Sequence, residues 1–275
     1  MTGNADQAEY WTGAGGDRWL ANERLLERQL ADIGDTLLDA AAPRPGERVL
    51  EIGCGTGMIA ARILHAVQPG GELVAVDISD RLLAVARKTA PGVDFRLADA
   101  QTAELPGNRD LALSRFGVMF FANPVAGFAN IRAALRSGGR LKFVCWAPLA
   151  DSPFWSIPMA IVARHLGPPD PVPVGTPGPL SLADPVRLRD ILTAAGWDRI
   201  TIETRQVATR QPTLADLIEV AVGMGPAASL INARQPAPAL VATIRAEIAD
   251  VFAGYVTADG AAVPASVHIV GAINA

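Results

Sequence analysis

At 275 residues, half of them hydrophobic and 19% charged, the chain can bury one sizeable core, or one domain with an insertion. A net charge of −4 leaves no phosphate-seeking surface, which argues against nucleic acid as a partner. The two cysteines, Cys54 and Cys145, lie far apart without metal-type spacing, so both read as small buried residues in a reducing compartment, with no metal site expected.

The chain opens on a glycine-rich aromatic stretch (Tyr10, Trp11, Gly13, Gly15, Gly16, Trp19) and runs into a helical pattern from about Asp17 to Ala42. Leu26, Leu30, Ile33, Leu37 and Leu38 share one side of it, as in a helix packed ahead of the first strand. There is no charged-then-apolar leader, no apolar run of about 18 residues and no lipidation motif, so the expectation is a cytoplasmic protein without membrane contact.

Val49 to Ile52 is a short apolar run with one acid, Glu51, and it ends in the alternating glycines Gly53, Gly55 and Gly57. That is a buried strand entering a tight turn, and Ile59, Ile63, Leu64 and Val67 then recur at helical spacing. The dinucleotide fingerprint needs glycine or alanine where Met58 stands, and no Gly-Lys-Ser/Thr closes a phosphate loop. What remains, G-x-G-x-G preceded by Glu51, resembles the first motif of class I S-adenosylmethionine-dependent methyltransferases. The resemblance implies that Gly53, Cys54, Gly55 and Gly57 cradle S-adenosyl-L-methionine, with Glu51 beside its cationic amino and sulfonium end. It also suggests that Tyr10, Trp11 and Trp19 belong to a lid over the cofactor, although a plain packing helix fits those residues too.

A second strand, Glu72 to Asp77, closes on an acid 20 residues beyond Gly57, at the end of the sheet where open α/β folds bind ligands. Asp77 there can accept hydrogen bonds from both ribose hydroxyls, with Ile78 next to it; a helix N-cap is the competing role. Val93 to Ala100 repeats the layout. By the family pattern its acid, Asp99, faces the adenine amino group, with the Ala100 backbone beside it. Asp110 to Gly117 is a fourth strand, and its exit lacks the Asp/Asn-Pro-Pro-aromatic signature of enzymes that methylate nucleic-acid bases. Ser114-Arg115-Phe116-Gly117 stands in its place, where Arg115 can clamp a carboxylate of cofactor or substrate, or serve a structural ion pair.

Arg140 to Trp146 reads as the fifth strand after a Gly138-Gly139 turn, Arg199 to Arg205 as the sixth, and the β-branched run Pro264 to Ala272 as a closing seventh, which the resemblance implies enters antiparallel. Helices are expected from Pro185 to about Ala195, from Thr213 through Val222 and from Pro238 to about Val256. The fold class is therefore α/β, a Rossmann-like seven-stranded methyltransferase sheet with helices on both faces and a helical cap. One domain spans 1–275, made of an N-terminal lid (1–45), a cofactor-binding core (46–146) and a C-terminal half (147–275) with the cap inserted at about 207–257.

Methyl transfer from a sulfonium disperses charge in the transition state, so a dry, aligned pocket can supply much of the catalysis without a dedicated base. His165, beyond the fifth strand, is the one histidine retained as a base for an oxygen acceptor. Phe116, Met119, Phe120, Trp146, Phe154, Trp155 and Met224 are expected to wall the acceptor pocket. The implied activity is methyl transfer to a small apolar or aromatic metabolite, on oxygen, nitrogen or carbon, by a monomer or homodimer. Two alternatives stay open, a cofactor-binding enzyme that does not transfer methyl and a nucleotide-dependent dehydrogenase.

Overall fold

The computed structural model describes residues 4–275; Met1 to Gly3, the first residues of the expected lid, lie outside the described residues. Four helices lead, α1 (Ala5–Thr12), α2 (Ala14–Ala21), α3 (Glu23–Gln29) and α4 (Ala31–Ala41). The single helix expected from Asp17 to Ala42 is thus broken twice. At Asn22 the side-chain amide donates to the Arg18 carbonyl at 2.8 Å, a local bond that competes with helix continuation. At Leu30 the carbonyl takes the Arg115 guanidinium at 3.3 Å as well as the Gly34 N–H.

The core alternates strand and helix: β1 (Arg48–Ile52), α5 (Ala60–Val67), β2 (Glu72–Asp77), α6 (Asp80–Thr89), β3 (Asp94–Leu97), β4 (Arg109–Arg115), α7 (Pro124–Ala134) and β5 (Leu135–Trp146). Then come α8 (Pro153–Leu166), α9 (Pro185–Ala194), β6 (Asp198–Gln211), α10 (Leu214–Gly223), α11 (Gly225–Arg234), α12 (Pro238–Phe252), β7 (Val256–Thr257) and β8 (Gly260–Ile273). The sheet runs β3-β2-β1-β4-β5-β8-β6, with the two-residue β7 adding an eighth strand beside β8. Strands β1 to β5 are parallel; β8, a strand as its β-branched sequence suggested, enters antiparallel between β5 and β6, as the family resemblance implied.

Burial on both faces explains the unbroken apolar run Leu73-Val74-Ala75-Val76 in β2. β6 is twice the expected length because it pairs with β8 from Asp198 to Gln211. The helix expected to reach Val256 ends at Phe252, where the chain tightens into a short 3-10 turn before β7. No single helix among the described residues is long and apolar enough to cross a membrane. Strand order reverses at β1, which has β2 on one side and β4 on the other, so a crevice opens at the carboxyl ends of these two strands.

Candidate active site

The turn after β1 is fixed by close backbone approach. Gly53 has φ of +66°, and a Cβ added to it would sit 2.6 Å from the Gly117 Cα at the exit of β4. Its N–H and that of Cys54 both donate to the Val76 carbonyl, at 2.8 and 3.1 Å, which ties the turn to β2. Around Gly55 a Cβ would meet nothing within 4 Å, so the turn presents bare backbone to a cavity of about 800 Å³.

Carboxylates converge on that turn. Asp77 accepts from the Gly55 N–H at 2.7 Å and from the Ser79 N–H at 2.9 Å, while the cap of α6 is the Ser79 hydroxyl, so the N-cap role falls to serine. Burial raises the Asp77 pKa, and these backbone donors pull it back. Glu51, 2% exposed, lines the same wall, and its Oε2 has no hydrogen-bond partner. Burial lifts its pKa to about 8; Arg115 opposes the shift and Asp77 adds to it. Arg115 faces the cavity with its guanidinium on the Leu30 carbonyl and the Met58 sulfur, and burial lowers its pKa to about 10. No carboxylate among the described residues lies within ion-pair distance of it, so the structural ion pair is not formed.

Asp99 stands just beyond β3, on the side of the β1 turn away from the exits of β4 and β5. Its carboxylate takes the Gln101 N–H at 3.0 Å and the Thr102 hydroxyl at 2.9 Å, and also the backbone and side-chain N–H of Asn4 at 3.3 and 3.4 Å. Asn4 Oδ1 in turn accepts from the Ala122 N–H at 2.7 Å, and the Ser79 hydroxyl donates to the Trp11 carbonyl at 2.9 Å. Helix α1 is thereby strapped across the crevice, with Trp11 edge-on to Phe120, ring centroids 5.1 Å apart.

The remaining walls are rings. Phe116 holds a positive φ of 70° directly before the tight Gly117 contact, a conformation costly for a bulky residue. That turn lays its ring against Trp146, with centroids 4.5 Å apart and planes within 15°, and Trp155 meets Trp146 edge-on at 5.3 Å. A Cβ on Gly225 would collide with the Trp155 ring, so glycine at the start of α11 is what lets that indole reach the cavity.

Of the residues expected from sequence, Trp11, Glu51, Gly53, Cys54, Gly55, Asp77, Ile78, Asp99, Ala100 and Arg115 line this one cavity, together with Phe116, Met119, Phe120, Trp146, Trp155 and Met224. Three do not. Gly57 packs against Ala86 and Phe95, closing α6 and β3 onto the turn. Phe154 is fully buried and stacks on Phe252, because it sits one residue around the helix from Trp155 and faces α12. His165 lies off the cavity, its Nε2 2.8 Å from Glu247 Oε1 on α12, so no histidine reaches the site. Sequence reasoning missed Gln29 and the 172–181 loop, which is held over the cavity by the Ser181 hydroxyl and the Gly178 N–H on the Met119 carbonyl. Gln29 did carry a signal: it lies at helical spacing between Leu26 and Ile33, a polar residue within an apolar stripe.

Residues 49–139 match the family model described as a methyltransferase domain. The chain is 31% identical over 127 residues to an aklanonic acid methyltransferase of a Streptomyces species, covering 44% of this chain and 58% of that one. It is 36% identical over 109 residues to an uncharacterized 37.1 kDa protein of a Streptomyces fradiae transposon, covering 38% of this chain and 32% of the other. The chain therefore spans a third to three-fifths of the length of these curated relatives. The solved structure of a putative methyltransferase from Bacillus halodurans superposes with a TM-score of 0.54 at 18% identity, covering 88% of this chain and 98% of that one.

A glycine turn and two strand-end acids stand at the sheet's reversal point, within the segment 49–139 that matches the methyltransferase domain, and the fold is Rossmann-like as in the solved methyltransferase. S-adenosyl-L-methionine is the cofactor that such a domain implies. The residues fit that group: bare backbone at Gly55, an unpartnered buried Glu51 and a guanidinium without a carboxylate leave matching places for a nucleoside, an ammonium and a carboxylate.

Proposed function

We propose that the protein transfers methyl from S-adenosyl-L-methionine to a small aromatic or apolar metabolite by direct displacement in a desolvated pocket. One observation carries the reading: Glu51, Asp77 and the glycine turn occupy one end of a cavity whose other end is walled by Phe116, Trp146 and Trp155. At about 800 Å³ this cavity lies in the upper part of the ~300–1,000 Å³ range of single-ligand sites, with room for cofactor and acceptor side by side.

When bound, the cofactor supplies an electrophilic methyl on a sulfonium. Asp77 would hold the ribose hydroxyls and Asp99 the base edge, Arg115 would take the amino-acid carboxylate, and ionised Glu51 would face the positive charge. The aromatic wall would orient the acceptor and, with α1 and the 172–181 loop, exclude water from it, conditions under which displacement is driven by positioning. No histidine touches the cavity, and positioning is the main catalytic device. The Streptomyces relative's name, an aklanonic acid methyltransferase, supports a small-molecule acceptor.

Titration calorimetry with S-adenosylmethionine and S-adenosylhomocysteine, followed by a screen of aromatic metabolites for uptake of labelled methyl, tests the proposal. Binding of both nucleosides with methylated product is the expected result. Binding of a nicotinamide dinucleotide in their stead would overturn it.

A further inference from the structure

β6 forms one edge of the sheet and runs for 14 residues, from Asp198 to Gln211, whereas the opposite edge strand, β3, has 4. Short strands, proline, lysine and bulges are the usual means by which a sheet closes its edge to other chains. From Thr201 to Gln211 β6 has none of these, and its register against β8 is unbroken. The direction of its main-chain groups follows from β8. The Ser266 carbonyl accepts the Ala147 N–H at 3.0 Å and the Ser266 N–H donates to the Ser152 hydroxyl at 2.9 Å, so Ser266 faces away from β6. Gln206 stands opposite Ser266, and opposed residues of an antiparallel ladder bond together or not at all. Gln206 therefore turns its own N–H and C=O to the open side, as do Ile202, Thr204 and Ala208 by alternation. The Ile200 carbonyl agrees, since it accepts the Arg189 guanidinium from outside the ladder at 3.0 Å. Glu203, Thr204, Arg205 and Gln206 are exposed in succession, and among the described residues no strand covers this side of β6.

We infer that this edge is the interface of a homodimer, in which the β6 strands of two copies pair antiparallel about a two-fold axis at Thr204. Thr204 then exchanges main-chain bonds with Thr204 of the partner subunit, and Ile202 with Gln206 of the partner subunit, so each bonded pairing uses groups that already point outward. Glu203 and Arg205 fall between the bonded pairs, where opposed side chains approach most closely. Each Glu203 faces Arg205 of the partner subunit, and the two-fold axis makes the contact twice. Within one chain these side chains already pair at 2.7 Å with both at least half exposed, so the second copy extends an existing ion pair. The charges also fix the register. The nearest slips that keep outward groups opposed set Glu203 against Glu203 or Arg205 against Arg205, and like charges directly opposite are destabilising. β4, β5 and β8 lie between β6 and β1, so the inference stands apart from the methyl-transfer reading.

Sedimentation velocity of the full chain at micromolar concentrations is expected to show a dimer. Glu203→Arg and Arg205→Glu each set like charges against one another twice across the axis, and each should weaken the dimer at least about tenfold. Mixed in equal amounts, the two variants regain both opposite-charge contacts in a heterodimer, which should form within about threefold of the wild-type affinity. The ion pair within each variant chain stays broken, so recovery on mixing reports the contact between copies. Gln206→Pro removes one outward N–H per chain and no bond to β8, and should weaken the dimer by a similar factor. Thermal melts and circular dichroism establish that the variants fold. A wild-type chain that stays monomeric overturns the inference. So does a dimer that either charge reversal leaves intact, or one that mixing fails to recover, since both outcomes place the contact on another face.

Discussion

The two ends of the cavity are made of different material. At the β1 end the groups that face a ligand are the backbone of the glycine turn, tied to β2 through the Val76 carbonyl at 2.8 and 3.1 Å, Asp77, held by the Gly55 and Ser79 N–H groups at 2.7 and 2.9 Å, and the unpartnered Glu51. At the aromatic end they are long side chains from α3, the exit of β4, the end of β5, α8 and the start of α11, held by packing alone. The first end resists change because its geometry is set by backbone contacts between β1, β2 and the exit of β4. The second can be altered residue by residue without disturbing the fold, which lets one sheet serve many acceptors.

Gly53→Ala should break the first end most severely. The new Cβ would lie 2.6 Å from the Gly117 Cα, in a residue whose φ is already +66°. Strain and overpacking together should cost about 2–5 kcal/mol. A thermal melt should fall by roughly 5–15 °C, and an unchanged melting point would mean that the turn yields like a loop. The matching change at the other end, Trp146→Phe, should leave S-adenosylhomocysteine affinity unchanged.

Glu51 offers a pH test. Its folded pKa of about 8 exceeds the ordinary glutamate value of 4.5, so the native state holds an extra proton between those values. The stability this contributes is complete below about pH 4.5 and is lost as pH rises through 8. The ligand-free protein should therefore lose on the order of 2–4 kcal/mol of stability between pH 5 and pH 9 that Glu51→Gln does not lose. Affinity for the cationic cofactor should move oppositely, rising with pH toward 8 in wild type and staying flat in the variant. Urea unfolding at several pH values, and calorimetry in buffers of different ionisation heat, would read the two halves of this expectation.

Asp77→Ala removes a charged acceptor that the ribose would engage, and should weaken cofactor binding by roughly 1.5–3 kcal/mol. Equal affinity in calorimetry would take Asp77 out of the site and reduce it to a brace for Gly55 and Ser79.

How far each end was legible in the sequence follows from the same difference. The glycine turn, Asp77 and Asp99 stand just after short strands whose order the sequence shows, so motif spacing together with the family resemblance pointed to them, whereas Gly57 packs against Ala86 and Phe95, contacts that depend on α6 and β3. The aromatic end joins segments more than 100 residues apart. Phe154 and Trp155 are alike in sequence, yet only the latter turns to the cavity, because Gly225 makes room for one ring and Phe252 receives the other. His165 looked available until α12 brought Glu247 to it. The broken N-terminal helix was hidden by a continuous apolar stripe, since Leu26, Leu30, Ile33 and Leu37 stay buried through the breaks.

The smallest effect lies at the strap that joins the two ends. The Asp99 carboxylate is oriented by Gln101 and Thr102 at 3.0 and 2.9 Å, whereas its contacts to Asn4 are longer, 3.3 and 3.4 Å. The shortest bond of Asn4 is the one it accepts from Ala122, at 2.7 Å, so Asn4 acts as a latch between α1 and the loop after β4 more than as a guide for Asp99. Asn4→Ala should therefore leave the base-binding acid in place and weaken S-adenosylhomocysteine binding by only about 0.5–1.5 kcal/mol. That loss should appear as faster dissociation, with little change in association, since the open lid no longer holds the nucleoside in. Stopped-flow measurement of the Trp11 and Trp19 fluorescence separates the two rates. A slower association with unchanged dissociation would show the reverse arrangement, in which Asn4 preorganises Asp99 and the strap belongs with the rigid end of the cavity.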